Sequence, residues 1–142
     1  MPIKVLLVDD EKDFVETLAQ RLEMRDFDVK TALDGDEALD LIRESEFDVV
    51  VLDVLMPGKD GIQTLREIKD LKPLITVIML TGNATVDTAI EGMKLGAYDY
   101  LMKPTETESL VEKIMSAHKI KAEHEERIRQ AEIKGILKRR GW

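Results

Sequence analysis

Five polar side chains stand directly after apolar runs in this chain. Asp9 and Asp10 follow Leu6-Leu7-Val8, Asp53 follows Val49-Val50-Val51-Leu52, Thr81 follows Val77-Ile78-Met79-Leu80, and Lys103 follows Tyr100-Leu101-Met102. Three carboxylates brought to one place repel one another, and at least one takes up a proton unless a cation is present. An all-oxygen cluster without His or Cys suits a hard divalent ion, and Mg2+ keeps waters beside one or two protein carboxylates. A lone Lys and a Thr hydroxyl facing such an ion suit an incoming phosphoryl group: the ion neutralises its oxygens, the Lys adds a point charge and the hydroxyl donates a hydrogen bond. Asp53 can then act as nucleophile and form an acyl phosphate.

The elements that must carry these residues alternate between two kinds. Short apolar, β-branched runs cover Ile3–Val8, Val29–Ala32, Val49–Leu52, Ile75–Leu80 and, more weakly, Tyr98–Met102. Runs without polar alternation predict strands buried on both faces, as in a parallel sheet. Between them lie amphipathic stretches with apolar residues at helical spacing. These are Glu11–Arg25 (Phe14, Leu18, Leu22), Asp36–Glu44 (Ala38, Leu39, Ile42), Ile62–Leu71 (Leu65, Ile68), Thr85–Leu95 (Val86, Ile90, Met93) and a last helix from about Glu106 (Leu110, Val111, Ile114, Met115). Gly35, Gly61 and Gly82 punctuate the segments, Gly96 has the place of a left-handed C-terminal cap, and Thr105 with Glu108 has capping-box spacing. Five strands each followed by a helix predict a doubly wound five-stranded parallel α/β domain with helices on both faces. In such folds ligands bind beyond the carboxyl ends of the strands, where the five polar residues fall.

Composition narrows the function further. The 142 residues suffice for one domain with its own core, 44% are hydrophobic and 35% charged, and the net charge is −8. The last 24 residues differ: residues 119–142 carry eight Lys+Arg against four Asp+Glu, which leaves −12 on residues 1–118. We therefore divide the chain into a domain over 1–118 and a charged helical extension or linker over 119–142. So acidic a domain is unsuited to wrapping nucleic acid, and Arg139-Arg140 is too short a basic run for a footprint. The absence of Cys excludes disulfides, thiolate metal sites and cysteine nucleophiles. No apolar run approaches the length of a membrane span, and the N-terminus lacks the pattern of a signal peptide, so a cytoplasmic location is expected.

Taken in order, Asp9-Asp10, Asp53-Val54-Leu55-Met56-Pro57-Gly58, Asp60-Gly61, Thr81-Gly82 and Tyr100-Leu101-Met102-Lys103-Pro104 resemble the signature of response-regulator receiver domains of two-component systems, the CheY-like superfamily. The match covers roughly residues 3–118. The resemblance implies a flavodoxin-like strand order 2-1-3-4-5 and an extended C-terminal helix here. It implies Asp53 as phosphoacceptor, with Mg2+ ligated by Asp10, Asp53 and the backbone carbonyl of Leu55, while Asp9 holds a metal-bound water or positions the ion. Lys103 would pair with phosphoryl oxygens, Thr81 would shift toward them, and Tyr100 would turn inward behind it. That movement would alter the surface formed by the fourth helix, fifth strand and fifth helix. The Lys103–Pro104 bond would be cis. The donor would be a phosphohistidine on a sensor histidine kinase or phosphotransfer protein, and the output a contact with a downstream protein effector. Such a domain is not a conventional enzyme: it catalyses only its own phosphorylation and slow dephosphorylation. Leu55 and Asn83 stand where the family tunes hydrolysis. The apolar Leu55 offers nothing to orient water, which predicts a long-lived phosphorylated state.

Plainer readings exist for each residue singly. Asp9-Asp10 suits a helix cap, Thr81 a turn, Lys103 a surface position and Tyr100 the core. The conjunction favours the chemical reading. His118 and His124, six residues apart, lack a same-face ligand spacing and read as solvated. A Mg2+-dependent phosphatase with an Asp nucleophile would be expected to carry a second Asp two residues on, where Leu55 stands. A nucleotide- or flavin-binding domain would call for a Gly- or hydroxyl-rich phosphate loop after the first strand, where Asp9-Asp10-Glu11 stands instead. A truncated receiver of a transcriptional regulator remains the alternative. Leu110, Ile114, Ala117, Lys121, His124, Ile128 and Ala131 step by three and four, raising a homodimer through the terminal helix, although Lys121 and His124 interrupt the seam.

Overall fold

The computed structural model describes residues 2–54, 61–82 and 86–139. Strands β1 (Lys4–Val8), β2 (Asp28–Ala32), β3 (Val49–Leu52), β4 (Thr76–Thr81) and β5 (Asp99–Met102) alternate with helices α1 (Lys12–Glu23), α2 (Gly35–Glu44), α3 (Gly61–Leu71), α4 (Val86–Lys94) and α5 (Thr107–Arg139). The strands form one parallel sheet in the order β2-β1-β3-β4-β5. Both the fold class and this order agree with the sequence expectations, with element ends moved by one or two residues, as is usual at fraying termini.

Successive strand residues point to opposite faces, so each buried strand feeds two cores. Val5, Leu7, Val49, Val51, Ile78 and Leu80 pack with Val15, Leu18 and Leu22 of α1 and Leu110, Ile114 and Ala117 of α5. Leu6, Val8, Val50, Leu52, Val77 and Met79 pack with Leu39 and Ile42 of α2 and Ile62, Leu65 and Ile68 of α3. Double-sided burial explains why the strands read as unbroken apolar runs.

Two glycines do geometric work. Gly96 has φ +105°, and it closes α4 with two reversed hydrogen bonds: its N–H donates to Met93 O (3.1 Å) and the Ala97 N–H to Gly92 O (3.0 Å). This pair is a Schellman arrangement, and the positive φ agrees with the left-handed cap expected at Gly96. At Gly61 a Cβ would lie 2.2 Å from Val54 Cα, so the start of α3 can sit against the residue after Asp53 only without a side chain.

Three local expectations are corrected. The first is the capping box. Helix α5 starts at Thr107, with the Leu110 N–H donating to Glu106 O, so Thr105 and Glu108 fall one position early; Glu108 instead pairs with Arg25. Secondly, the buried stripe of α1 is Val15, Leu18, Ala19 and Leu22, with Phe14 only half-buried at its edge. The third concerns α4, whose apolar stripe does not face inward: Ala89 is buried, while Ile90 and Met93 are exposed, as are Tyr100 and Met102 of β5 and Met115 of α5. Helix α5 continues without a break from the domain core to Arg139, so the compositional boundary at residue 118 lies inside one helix.

Candidate phosphoacceptor and metal site

The sheet itself positions the site. At its carboxyl edge the ladder extends one step beyond the strands: Asp9 N–H donates to Ala32 O (3.1 Å), Asp53 N–H to Val8 O (2.9 Å) and Lys103 N–H to Thr81 O (2.9 Å). The backbones of these three residues are therefore held by the neighbouring strands rather than by loops. Thr81 closes β4 and is buried. The Lys103–Pro104 peptide is cis, as expected.

The side chains converge. Ligand oxygens of Asp9, Asp10 and Asp53 all lie within 4.8 Å of one another, with Asp9 and Asp53 buried and Asp10 exposed. Lys103 Nζ sits among them, 2.5 Å from Asp9 Oδ2, 3.0 Å from Glu11 Oε1 and 3.6 Å from Asp53 Oδ2. Burial pushes the Asp9 carboxyl above the ordinary aspartate range, against the opposing pull of its hydrogen bonds from Lys103 and the Glu11 N–H. Burial also works against the Lys103 ammonium, but hydrogen bonds to Asp9 and Glu11 and the charges of Asp9 and Asp53 outweigh it and hold its pKa above the usual lysine value. One ammonium thus meets three carboxylates, Asp9, Glu11 and Asp53, with the exposed Asp10 close to two of them, and the cluster keeps a residual negative charge.

The donor set matches a hard divalent cation: carboxylate oxygens converge without nitrogen or sulfur, and one is open to solvent. The helix-cap reading of the acidic pair is only partly met. Asp9 Oδ1 accepts from the Glu11 N–H at 2.9 Å, but Glu11, not Asp9 or Asp10, is the N-cap of α1. Leu55, predicted to offer a backbone carbonyl, and Asn83 lie outside the described residues. Tyr100 is 42% exposed and points away from the core. Nor do the histidines approach the site: His118 lies 3.9 Å from Asp48, beside β3's entry.

Two residues at the site escaped the sequence reading. Glu11 reads in the sequence as part of an acidic run, yet it holds Lys103 at 3.0 Å. Phe14 belongs by spacing to the apolar stripe of α1, yet Lys103 Nζ lies over its ring, 4.3 Å from the centroid. The spacing of Phe14, one helical turn after Asp10, was the available signal.

Comparison with known proteins agrees with this architecture. The response regulator receiver domain family matches residues 5–115. The chain is similar to a response regulator receiver domain protein (CheY-like) from Methanospirillum hungatei, with 27% identity over 87% of this chain and 99% of that one, and a TM-score of 0.84. A receiver domain protein from Clostridium thermocellum is 38% identical over 84% of this chain and 97% of that one, with a TM-score of 0.81. NtrX from Brucella abortus is 32% identical with a TM-score of 0.83; the match takes in 89% of this chain but 29% of that longer one. With the matched family covering most of the domain and the fold reproducing its strand order, the chain belongs to the response-regulator receiver domain family, a signalling module of two-component systems.

Proposed function

We propose that the chain is a phosphoacceptor switch in which Asp53 receives a phosphoryl group from the phosphohistidine of a sensor histidine kinase or phosphotransfer protein. The observation that carries this reading is the convergence of Asp9, Asp10 and Asp53 around Lys103 at the carboxyl edge of the sheet. A Mg2+ ion held by Asp10 and Asp53, with Asp9 beside them and the Leu55 carbonyl as a further ligand, would neutralise charge on the carboxylates and the incoming phosphoryl oxygens. An Asp53 carboxylate oxygen forms the new P–O bond as the P–N bond breaks, and the electron pair stays with the departing imidazole. Lys103 turns from its carboxylate partners to the phosphoryl oxygens, and Thr81 donates its hydroxyl to another. Tyr100 would then turn inward from its exposed position.

The readout surface is the exposed apolar strip formed by Ile90, Met93, Tyr100, Met102 and Met115, on α4, β5 and α5. Scattered apolar side chains are ordinary on a surface; Ile90, Met93 and Tyr100, however, line one cleft between α4 and β5, which supports a protein partner, the downstream effector. The domain assignment follows: residues 1–118 hold the switch, and residues 119–142, of which 119–139 continue α5, serve as a linker or dimerising helix. Among the described residues no helix is long and apolar enough to cross a membrane. We place the protein in the cytoplasm, beside its kinase. The match to 29% of the longer NtrX chain supports a second reading, in which this receiver is one part of a longer regulator; that it is a transcriptional one rests on the sequence resemblance alone.

Incubation with Mg2+ and acetyl phosphate, followed by intact mass, tests the reading. Wild type should gain one phosphoryl group, Asp53→Asn none, and EDTA should abolish the gain. Absence of labelling by acetyl phosphate and by phosphorylated histidine kinases would leave a phosphorylation-independent binding module. A phosphoryl half-life of a few seconds would refute the long-lived state attributed to Leu55.

A further inference from the structure

We propose that Phe14 is a positioning residue for Lys103, its ring face holding the ammonium in line with Asp53 when the carboxylates that anchor it become engaged elsewhere. The inference rests on the reading of Asp53 as phosphoacceptor. Among the described residues the Lys103 ammonium meets four groups: Asp9, Glu11 and Asp53 on the carboxylate side, and the Phe14 ring 4.3 Å from Nζ. That distance lies well inside the roughly 6 Å range of cation–ring attraction. The side chain of Lys103 is 12% exposed, so the contact is largely dehydrated, where such attraction is strongest.

The four neighbours differ in what a cation does to them. Asp9 and Asp53 are drawn to any divalent ion at the site, and Asp53 is consumed by phosphorylation. Their hold on Lys103 weakens when it must serve the phosphoryl group. Glu11 is 63% exposed on its side chain, and water competes for it. The ring neither titrates, binds the metal nor reacts. It is also fixed: Phe14 packs against the α1–α5 core, and with Asp9, Val15 and Asp53 it lines a void of only about 10 Å³, too small for another side chain to enter. Among the described residues, Phe14 is thus the neighbour of Lys103 that neither binds the ion nor is consumed, so it stays in place to guide the ammonium through transfer. A four-carbon stem with free rotors needs such a guide, since misplacement by about 1 Å can cost about a hundredfold in rate.

The test compares Phe14→Leu, apolar but without a ring, with Phe14→Tyr, which keeps the ring. Three quantities are measured: the Mg2+-dependent acetyl phosphate labelling rate, the thermal midpoint, and the chemical shift of the Lys103 Hε protons in protein labelled at lysine Cε. The ring predicts upfield-shifted Lys103 Hε signals in wild type and Phe14→Tyr, and normal ones in Phe14→Leu. Labelling should slow about tenfold in Phe14→Leu, in keeping with the strength of a dehydrated cation–ring contact, and recover in Phe14→Tyr. A purely structural role would instead lower the midpoint and the rate together and leave both variants impaired in proportion to stability. Wild-type labelling rates in Phe14→Leu, or unshifted Lys103 signals in wild type, would overturn the proposal alone. An unlabelled wild type would overturn the phosphoacceptor reading and this proposal with it.

Discussion

Replacing Gly61 by Ala should damage both the fold and the site, because its missing side chain holds the space that Val54 occupies. A Cβ there would stand 2.2 Å from Val54 Cα and 2.6 Å from its carbonyl carbon and oxygen. Carbon atoms attract best at about 3.5–4.0 Å, so α3 and the segment following Asp53 must part by more than about 1 Å. The opposing atoms are backbone and cannot swing away as a side-chain tip would. Overpacking of this kind costs about 3 kcal/mol, at the upper end of the usual range. At this chain length that corresponds to a thermal midpoint lower by roughly 12 °C. The displacement falls on the residue next to Asp53, so labelling by acetyl phosphate should slow by about a hundredfold even below the melting range. Gly82→Ala is the internal control: its Cβ would meet Lys103 Cβ and Cδ at 3.8 Å, an ordinary contact, and should shift the midpoint by about 1 °C or less. Calorimetry and intact-mass time courses on the two variants decide. Equal midpoints and equal labelling rates would refute the claim that close backbone approach at Gly61 positions Asp53.

Other perturbations follow from the same geometry. Lys103→Met leaves Asp9 and Asp53 buried without their ammonium and should cost about 3 kcal/mol in Mg2+-free buffer at pH 7. The Asp9 pKa is already raised by burial, so its protonated form favours the folded state; the deficit should shrink as pH falls toward 4, and denaturant melts at a deficit constant from pH 7 to pH 4 would contradict this. Mg2+ at a hundred times its dissociation constant should add about 2.7 kcal/mol of stability in wild type, and far less in Asp10→Asn; a melting temperature indifferent to Mg2+ would speak against the metal site. Gly96→Ala must adopt φ near +105° and bring a Cβ to 3.0 Å from Lys69 Cε, which should cost about 1–2 kcal/mol by chemical denaturation without altering labelling.

The class of fold and the identities of the site residues were legible without coordinates. Short, unbroken β-branched runs bounded by turn residues read as strands covered on both faces, and the residue after such a run then emerges at the sheet's carboxyl edge. That rule alone assigned Asp9, Asp53, Thr81 and Lys103 to one edge, because it depends on local pattern and on the right-handed crossover rather than on packing detail. Gly96 was legible for the same reason, as a helix end needs a left-handed residue that few side chains tolerate. Long-range contact was decided only by the folded chain. Helical spacing marks an apolar stripe but not what it meets, so only the folded chain shows that Ile90 and Met93, beside the edge strand β5, lie in solvent. Likewise Phe14 and Glu11 sit next to Lys103 across a sequence gap of about 90 residues, a proximity that no local periodicity encodes and that arises only when α1 packs beside the end of β5.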